Sequence, residues 1–418
     1  MNYKATEIKQ LQSLLKKLSY DPGPIDGILG SQTQSALEQF QIDNNLSPSK
    51  ELDSQTYEAL QKYLLGYQEY TIKQGDTLSK IAKDFNTTVN SILTANPNIS
   101  LNNIKEGDII VIPYNFDIVD TNIDYTYDIL EKDLEALKKR YPFIEVSNSG
   151  KSVLDKNLYS VKLGNGPNKV FFNGSHHAIE WITTPLLMKF IENFSKAYSK
   201  NKTLRGYNPR DIWEQSTIYI MPMVNPDGVD LVLNGLSEDN PYYDDLIKWN
   251  NGSTDFSKNW SANIRGVDLN HNYDASWELS KEAEALYGIT GPGPTRYSGE
   301  YPESEPESKA VVEFTRAIDP RLVLAYHSQG EVIYWNYMNM APPESKDIGE
   351  SFSEVSGYLL DEPYGITSYS GYKDWFIEEY KRPGYTVEVG KGVNPLPISQ
   401  FDKIYNDNEE LLLLGSVI

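Results

Sequence analysis

The stretch FFNGSHHAIEWITTP, residues 171–185, places two adjacent histidines and a glutamate at the end of an apolar run. The run KVFFNG (169–174) predicts a buried strand, and the residues after it predict a helix. His177 and Glu180 are three residues apart, a spacing that puts both side chains on one face of a helix. An imidazole and a carboxylate side by side at a strand end are two ligands of the kind that zinc prefers. Because such pairs often arise by chance, this spacing alone is a weak indication.

The rest of the chain from about residue 120 to the end alternates between strand-like and helical runs. This alternation favours an α/β domain with a parallel or mixed sheet, whose chemistry is expected beyond the carboxyl ends of the strands. The chain has only four histidines, and the other two are His271, in GVDLNHNYD, and His327, which ends a strand-like run. The strand-like runs are LYSVKL, KVFFNG, TIYIMPMV, RLVLAYHS, EVIYW and GYTVEVG.

Composition limits the range of functions. The chain of 418 residues suggests two to three domains, and its net charge of −21 argues against a nucleic-acid partner. With no cysteine, disulfides and thiolate chemistry are excluded. No apolar run reaches the length needed to span a bilayer, so no membrane insertion is expected. No secretory signal is visible, so synthesis in the cytoplasm is expected.

Residues 1–66 predict a small helical domain with an internal sequence repeat. SQTQSALEQF (31–40) resembles SQTYEALQKY (54–63) at a period of 23, and each copy predicts a helix. Together with the amphipathic N-terminal run, these copies predict three helices. The segment LQSLLKKLSYDPGPIDGILGSQTQSALEQFQIDNNL resembles the peptidoglycan-binding domain appended to many cell-wall hydrolases, and a generic helical bundle is the alternative.

Residues 67–114 predict the order strand, helix, helix, strand. This segment resembles the LysM module, which binds N-acetylglucosamine-containing glycans such as peptidoglycan. The resemblance implies a sugar groove between the loop around GDT and the loop that follows the second helix. Its candidate residues are Gly75, Asp76, Thr77, Asn96, Pro97 and Ile99. The alternative for the polar ones, and for Thr77 above all, is helix capping.

Residues 115–418 resemble the zinc carboxypeptidase family through an ordered set of motifs. The motifs are HAIEWITTP, VNPDGV, GVDLNHN, YSGEYPESEPES, LAYHSQG and YTVEVG. The resemblance implies an α/β/α domain with a mixed sheet and one zinc ion bound by His177, Glu180 and His327. It implies that Glu388 is the general base and that Asp268 accepts a hydrogen bond from His177. His176 falls one residue outside the pattern and is expected to be structural.

Two departures from the family pattern affect substrate recognition. His271 stands where the family has the arginine that holds the terminal carboxylate of the substrate. Ser261 stands where the family has the arginine that stabilises the oxyanion, for which Arg265 or Lys258 is a candidate replacement, with a solvated surface charge as the alternative for either residue. The resemblance also assigns Asn270, His271, Ser328 and Tyr369 to substrate binding, although Tyr369 has an ordinary core or surface role as its alternative.

The wall-binding modules and the peptidase domain together resemble the γ-D-glutamyl-(L)-meso-diaminopimelate peptidases of bacteria. This resemblance implies cleavage of the γ-D-glutamyl–diaminopimelate bond in peptidoglycan stem peptides, with glycan strands and stem peptides as partners. A broad metallocarboxypeptidase and a catalytically inactive wall-binding protein are the alternatives. The expected place of action is the cell wall or the spore wall.

Overall fold

The computed structural model describes residues 3–362 and 369–418, which form two compact units. The first unit contains the chain up to Ile123 together with Asp128–Glu145 and Ser195–Lys200, and the second contains the rest. Within the described chain, no helix is both long and apolar enough to cross a bilayer.

The N-terminal part of the first unit is the predicted three-helix module. Its helices are α1 (Ala5–Lys17), α2 (Ser31–Asp43) and α3 (Ser54–Leu64). The two copies of the sequence repeat form α2 and α3, and each copy is anchored by a buried glutamine. The Gln12 amide donates to the Thr33 hydroxyl at 3.1 Å, and the Gln41 amide donates to the Thr56 hydroxyl at 2.9 Å. The repeat therefore places one threonine per copy to receive a hydrogen bond inside the module.

The next part has the predicted order of two strands around two helices. Its elements are β1 (Tyr67–Thr71), α4 (Leu78–Asp84), α5 (Val89–Ala95) and β2 (Ile109–Pro113). The two strands pair antiparallel, with Tyr67 opposite Pro113. A small core of isoleucine and leucine side chains, which includes Ile81, Ile92 and Ile112, lies between the helices and the strands.

The second unit is built on a mixed sheet of eight strands in the order β3-β4-β6-β5-β7-β10-β8-β9. The strands are β3 (Glu145–Lys151), β4 (Asn157–Gly164), β5 (Asn168–Gly174), β6 (Ser216–Met221), β7 (Leu322–His327), β8 (Val332–Tyr334), β9 (Leu359–Asp361) and β10 (Gly384–Glu388). The other α-helices of the described residues are α6 (Tyr127–Arg140), α7 (Thr183–Lys200), α8 (Pro209–Gln215), α9 (Pro226–Asn234), α10 (Tyr243–Trp249), α11 (Trp277–Tyr287), α12 (Pro306–Ile318), α13 (Glu344–Ser356), α14 (Tyr372–Tyr380) and α15 (Phe401–Val417). Short 3₁₀ helices cover Ala178–Glu180, Leu269–His271 and Ile398–Gln400.

Helices cover both faces of this sheet, as the apolar strands predict. Successive side chains of a strand point to opposite faces. Phe171 packs edge-on against Phe314 of α12 on one face, and Phe172 packs against Phe190 of α7 on the other. The α/β/α arrangement with a mixed sheet is therefore confirmed.

The central strands bring the site residues to one edge of the sheet. β5, β7 and β10 are adjacent and parallel, so their carboxyl ends lie together. His327 and Glu388 are the last residues of β7 and β10, and they are register partners. His177 follows the end of β5 by three residues. Residues that are far apart in the sequence therefore meet at this edge.

Candidate metal centre and active site

The edge holds a cluster of two histidines and one glutamate. One ligand atom each from His177, Glu180 and His327 can be chosen so that all lie within 4.8 Å of one another. The Glu180 carboxylate lies 2.9 Å from Nδ1 of His177 and 2.9 Å from Nδ1 of His327. Both imidazoles therefore present the same type of nitrogen to the same carboxylate.

The segment from His177 to Glu180 is a 3₁₀ turn, where the sequence predicted a longer helix; α7 begins only at Thr183. Residues three apart are eclipsed in a 3₁₀ turn, so His177 and Glu180 still share one side. The turn is held by Ser175, which has a positive φ of 53°. The backbone N–H of Ser175 donates to the Thr183 hydroxyl at 2.8 Å, which closes the passage from strand to helix.

The charged groups of the cluster stabilise one another. Burial by itself would raise the pKa of Glu180, but the charge of His177 and hydrogen bonds from both imidazoles lower the pKa to about 2. Burial would lower the pKa of His177, but Glu180 and Asp268 outweigh it and hold the pKa well above its ordinary value. The cluster thus keeps a carboxylate charged in a buried place. Two imidazoles and one carboxylate are the donor set of a catalytic zinc site, so these residues fit that ion.

Asp268 occupies the position behind His177 that the family resemblance implies. Its Oδ1 lies 3.0 Å from Nε2 of His177, and its Oδ2 accepts the backbone N–H of Arg296 at 2.8 Å and the Thr295 hydroxyl at 3.1 Å. Burial would raise the pKa of Asp268, but His177 and these donors lower it well below its usual range. A charged Asp268 accepts a hydrogen bond from Nε2 of His177, so the ring is oriented with Nδ1 beside Glu180.

Glu388 lies beside this cluster on the neighbouring strand. It is half-buried, and it is the register partner of His327. Burial raises the pKa of Glu388 well above its usual range, and the charge of Glu180 raises it further. A carboxyl group with this position and basicity can exchange a proton close to the cluster.

His176 lies outside the cluster, as the sequence predicted. It is fully buried, and its Nε2 lies 2.8 Å from the Tyr273 hydroxyl. Burial lowers the pKa of His176 well below its ordinary value, and the two other histidines of the edge lower it further. A neutral, hydrogen-bonded His176 is a packing residue behind the two cluster histidines.

The structure places the predicted substrate residues of the 268–271 loop next to Asp268. The backbone N–H of Asn270 donates to Asp268 at 3.2 Å, while its side-chain oxygen accepts the Tyr372 N–H at 3.0 Å. Nδ1 of His271 lies 3.1 Å from the backbone oxygen of Tyr369. Tyr369 itself is half-buried and packs against the hydrophobic core, in keeping with the core alternative.

Of the other two predicted substrate-binding residues, Ser328 reaches the cluster and Arg265 contacts residues outside it. The backbone N–H of Ser328 donates to Glu180 at 3.2 Å, so this residue lies in the site. Arg265 donates to the Tyr242 hydroxyl at 3.2 Å and lies 3.7 Å from Glu305. Since its guanidinium is directed to Glu305, the structure gives no contact between Arg265 and the cluster within the described residues.

Sequence reasoning missed Asn394. Its amide lies 3.4 Å from Glu180, and it exchanges two hydrogen bonds with Ser328, at 2.6 Å to the carbonyl and 2.8 Å from the hydroxyl. It therefore positions the carboxylate of the cluster from a loop that follows β10. A lone asparagine ahead of a proline is an ordinary turn signal, so nothing in the sequence separates it from other loop residues.

In the LysM-like segment, three of the predicted glycan residues have structural partners. Asp76 accepts the Tyr70 hydroxyl at 2.7 Å, and Thr77 caps α4 by accepting the Lys80 N–H at 3.2 Å. Asn96 pairs with the backbone of Val111 through two hydrogen bonds of 2.7 and 2.8 Å. The remaining three are Gly75 and Pro97, which are exposed, and Ile99, which packs against the small core. Glycan contact by these six residues remains a prediction.

Comparison with known families assigns all three parts of the chain. The zinc carboxypeptidase family matches residues 130–411, a peptidoglycan-binding domain matches residues 4–60, and the LysM domain matches residues 70–113. The predicted boundaries at residues 66 and 114 fall between these matches.

Individual relatives agree with this assignment. The chain is 44% identical over 299 residues to Gamma-D-glutamyl-L-diamino acid endopeptidase 1 of Lysinibacillus sphaericus, a match that covers 71% of this chain and 74% of that protein. It is 38% identical over 290 residues to the uncharacterized protein YqgT of Bacillus subtilis, covering 69% and 76%. Carboxypeptidase A of Helicoverpa armigera shares the fold, with a TM-score of 0.53 at 16% identity over 93% of this chain and 94% of that chain. The chain belongs to the zinc carboxypeptidase family of metallopeptidases.

Proposed function

We propose that this protein is a zinc-dependent peptidoglycan hydrolase that cleaves the γ-D-glutamyl–(meso-)diaminopimelate bond of stem peptides. The observation that carries the proposal is the 44% identity with the L. sphaericus endopeptidase over 71% of this chain. The family matches to a peptidoglycan-binding domain and a LysM domain support the same substrate. The proposed substrate implies that the protein, made in the cytoplasm, acts on the cell wall or the spore wall.

In this proposal His177, Glu180 and His327 hold one zinc ion per peptidase domain. When bound, zinc acidifies water to a pKa of about 7 and polarises a carbonyl group. The chain's own contribution is positional. Asp268 accepts a hydrogen bond from Nε2 of His177, which orients the imidazole so that Nδ1, the nitrogen beside Glu180, is the atom that would hold the ion. The Ser328 N–H and the Asn394 amide fix the two oxygens of Glu180.

Glu388 is the proposed general base. Hydrolysis of an amide requires that a proton leave the attacking water and that the departing nitrogen receive one. Glu388, on the strand next to His327, takes the first proton and delivers it to the departing amine. Burial and the charge of Glu180 raise the pKa of Glu388, which makes its carboxylate a stronger proton acceptor than an exposed glutamate.

The two N-terminal modules are proposed to act as a tether. A module that holds a glycan strand converts the encounter with a stem peptide into an event within one complex, and so raises the effective concentration of substrate. The tether therefore increases cleavage of whole peptidoglycan but not of a free stem peptide.

The test is digestion of purified stem tripeptides and tetrapeptides by the full chain, followed by mass spectrometry. L-Ala-γ-D-Glu is the expected product, a chelator abolishes it, and added zinc restores it. The matched control is Glu388→Gln, which keeps the size of the side chain and removes the base. Cleavage confined to the C-terminal residue of ordinary peptides would replace the proposal with a broad metallocarboxypeptidase. A wild-type rate no higher than that of Glu388→Gln would show an inactive wall-binding protein.

A further inference from the structure

Both departures from the family pattern border one short segment of the chain, residues 294–297. The Pro294 carbonyl accepts the N–H of Ser261 at 2.8 Å, beside the first departure. Two residues later, the N–H of Arg296 donates to Asp268 at 2.8 Å, and the Tyr297 carbonyl accepts the N–H of Asp268 at 2.8 Å. The segment thus passes from Ser261 to the loop that carries His271. One arginine, Arg296, lies on it.

The guanidinium of Arg296 has no carboxylate partner among the described residues. It is half-buried and lies over the ring of Tyr287, 5.0 Å from the ring centre. The chain has 59 acidic and 38 basic residues. Two other arginines of the same domain are paired with carboxylates: Arg205 bonds Glu409 at 2.7 Å, and Arg382 bonds Asp319 at 2.7 Å.

Arg296 and His271 line the same cleft. Among the described residues that line this cleft, the one acidic side chain is that of Glu284, which accepts two hydrogen bonds from Ser298 and lies 2.7 Å from the Lys281 ammonium. Nδ1 of His271 donates to the Tyr369 carbonyl at 3.1 Å, which fixes the position of the ring beside the cleft. The cleft therefore holds a guanidinium that no described carboxylate pairs, and the backbone of that same arginine is hydrogen-bonded to Asp268, the aspartate that holds His177.

We propose that Arg296, with His271 beside it, binds a carboxylate of the substrate on the diamino-acid side of the cleaved bond. The inference rests on the proposed function for the identity of that substrate. The planar guanidinium matches a carboxylate with two parallel hydrogen bonds, which lysine cannot reproduce. The arginine that the family carries at position 271 is thus replaced by an arginine from a different loop. Arg296 is a specificity residue and does not touch the cleaved bond.

The experiment compares Arg296→Gln and Arg296→Lys with wild type on two stem tripeptides that differ only in the carboxylates of the diamino acid, free or amidated. Loss of a charge-assisted hydrogen bond pair corresponds to about a 10- to 100-fold effect. KM for the free carboxylate peptide rises by that factor in Arg296→Gln, kcat stays within about 2-fold, and the amidated peptide is cleaved equally by both proteins. Arg296→Lys lies between. Arg382→Gln removes a guanidinium near the opposite end of β7 and leaves both peptides unaffected.

The outcomes separate this inference from the proposed function. If wild type cleaves stem peptides but Arg296→Gln keeps the same preference for the free carboxylate, the role of Arg296 is wrong and the hydrolase remains. A fall in kcat at unchanged KM would also overturn it, since that places Arg296 at the oxyanion. If wild type cleaves ordinary C-termini instead, the same variants are measured on peptides with free and amidated ends, and the same loss of preference is expected. If wild type cleaves neither kind of peptide, calorimetry measures how wild type and Arg296→Gln bind the free and the amidated tripeptide. The role of Arg296 is wrong if the substitution weakens binding of both tripeptides equally or weakens neither.

Discussion

Glu307, in the motif YSGEYPESEPES, is predicted to keep its proton in the folded protein at a pH where the unfolded chain has lost it. Glu307 is fully buried at the start of α12. It accepts the Val153 N–H at 3.1 Å and the Asn263 amide at 3.3 Å, and Asn263 also donates to Glu305 at 2.8 Å. Burial, followed by the charge of Asp227, raises the pKa of Glu307 from 4.5 to about 8. Folding therefore retains a proton on Glu307 that the unfolded chain loses.

The sign of the effect on stability follows from proton linkage. Between pH 4.5 and pH 8 the folded protein binds one proton more than the unfolded chain at this site, so a rise in pH favours unfolding. Each pKa unit corresponds to about 1.4 kcal/mol, so Glu307 lowers the free energy of unfolding by roughly 3–5 kcal/mol over that interval. The stability from this site is complete below pH 4.5 and is lost as pH rises through about 8.

The perturbation is Glu307→Gln, which imitates the protonated side chain at every pH. We expect the melting temperature of the peptidase domain to fall less from pH 5 to pH 8.5 in this variant than in wild type, by roughly 10 °C for a domain of this size. Differential scanning calorimetry of the full chain measures it. Glu313→Gln, an exposed position on the same helix, is the matched control and should follow wild type. Parallel pH curves for Glu307→Gln and wild type would refute a protonated Glu307.

Three further predictions address the metal site, its packing and the glycan module. Asp268 accepts hydrogen bonds from His177 on one side and from Thr295 and Arg296 on the other, so the amide of Asp268→Asn must place an N–H against at least one of these donors. We therefore expect the zinc affinity to fall about 10- to 100-fold, measured by competition with a chromophoric chelator. An unchanged affinity would contradict the orienting role of Asp268. Tyr273→Phe leaves buried His176 without its partner, so the free energy of unfolding should fall by about 1–3 kcal/mol while one zinc still binds, as shown by calorimetry and metal analysis. Asn96→Ala removes the two hydrogen bonds to the backbone of Val111, so we expect partial unfolding of the LysM-like module together with loss of binding to peptidoglycan. Circular dichroism measures the unfolding. Loss of binding by a variant that remains fully folded would instead indicate that Asn96 contacts the glycan directly.

The metal cluster could be predicted from the sequence because its members carry local signals. His177 and Glu180 share a turn, and His327 and Glu388 each lie near the end of a strand-like run, but it was the resemblance to the zinc carboxypeptidases that assigned these four residues their roles. In the structure, three adjacent parallel strands bring the four residues to one edge of the sheet. The helical and LysM-like modules were predictable for a similar reason, since a repeat of 23 residues and a strand–helix–helix–strand order are both visible in the sequence.

Residues that act from loops escaped prediction because contacts made across a large sequence distance leave no local pattern. Asn394 reaches Glu180 across 214 residues, and Arg296 meets Asp268 through a backbone N–H that any residue could supply. Arg265, by contrast, stood close in sequence to the position of the family's oxyanion arginine, yet its side chain is engaged by Glu305 and Tyr242. Arg265 as the replacement for the family's oxyanion arginine therefore stays a prediction, because the contacts of its side chain are to residues outside the cluster. Residues 294–297, in contrast, are hydrogen-bonded both to Ser261 and to Asp268 in the loop that carries His271, a connection that only the folded chain reveals.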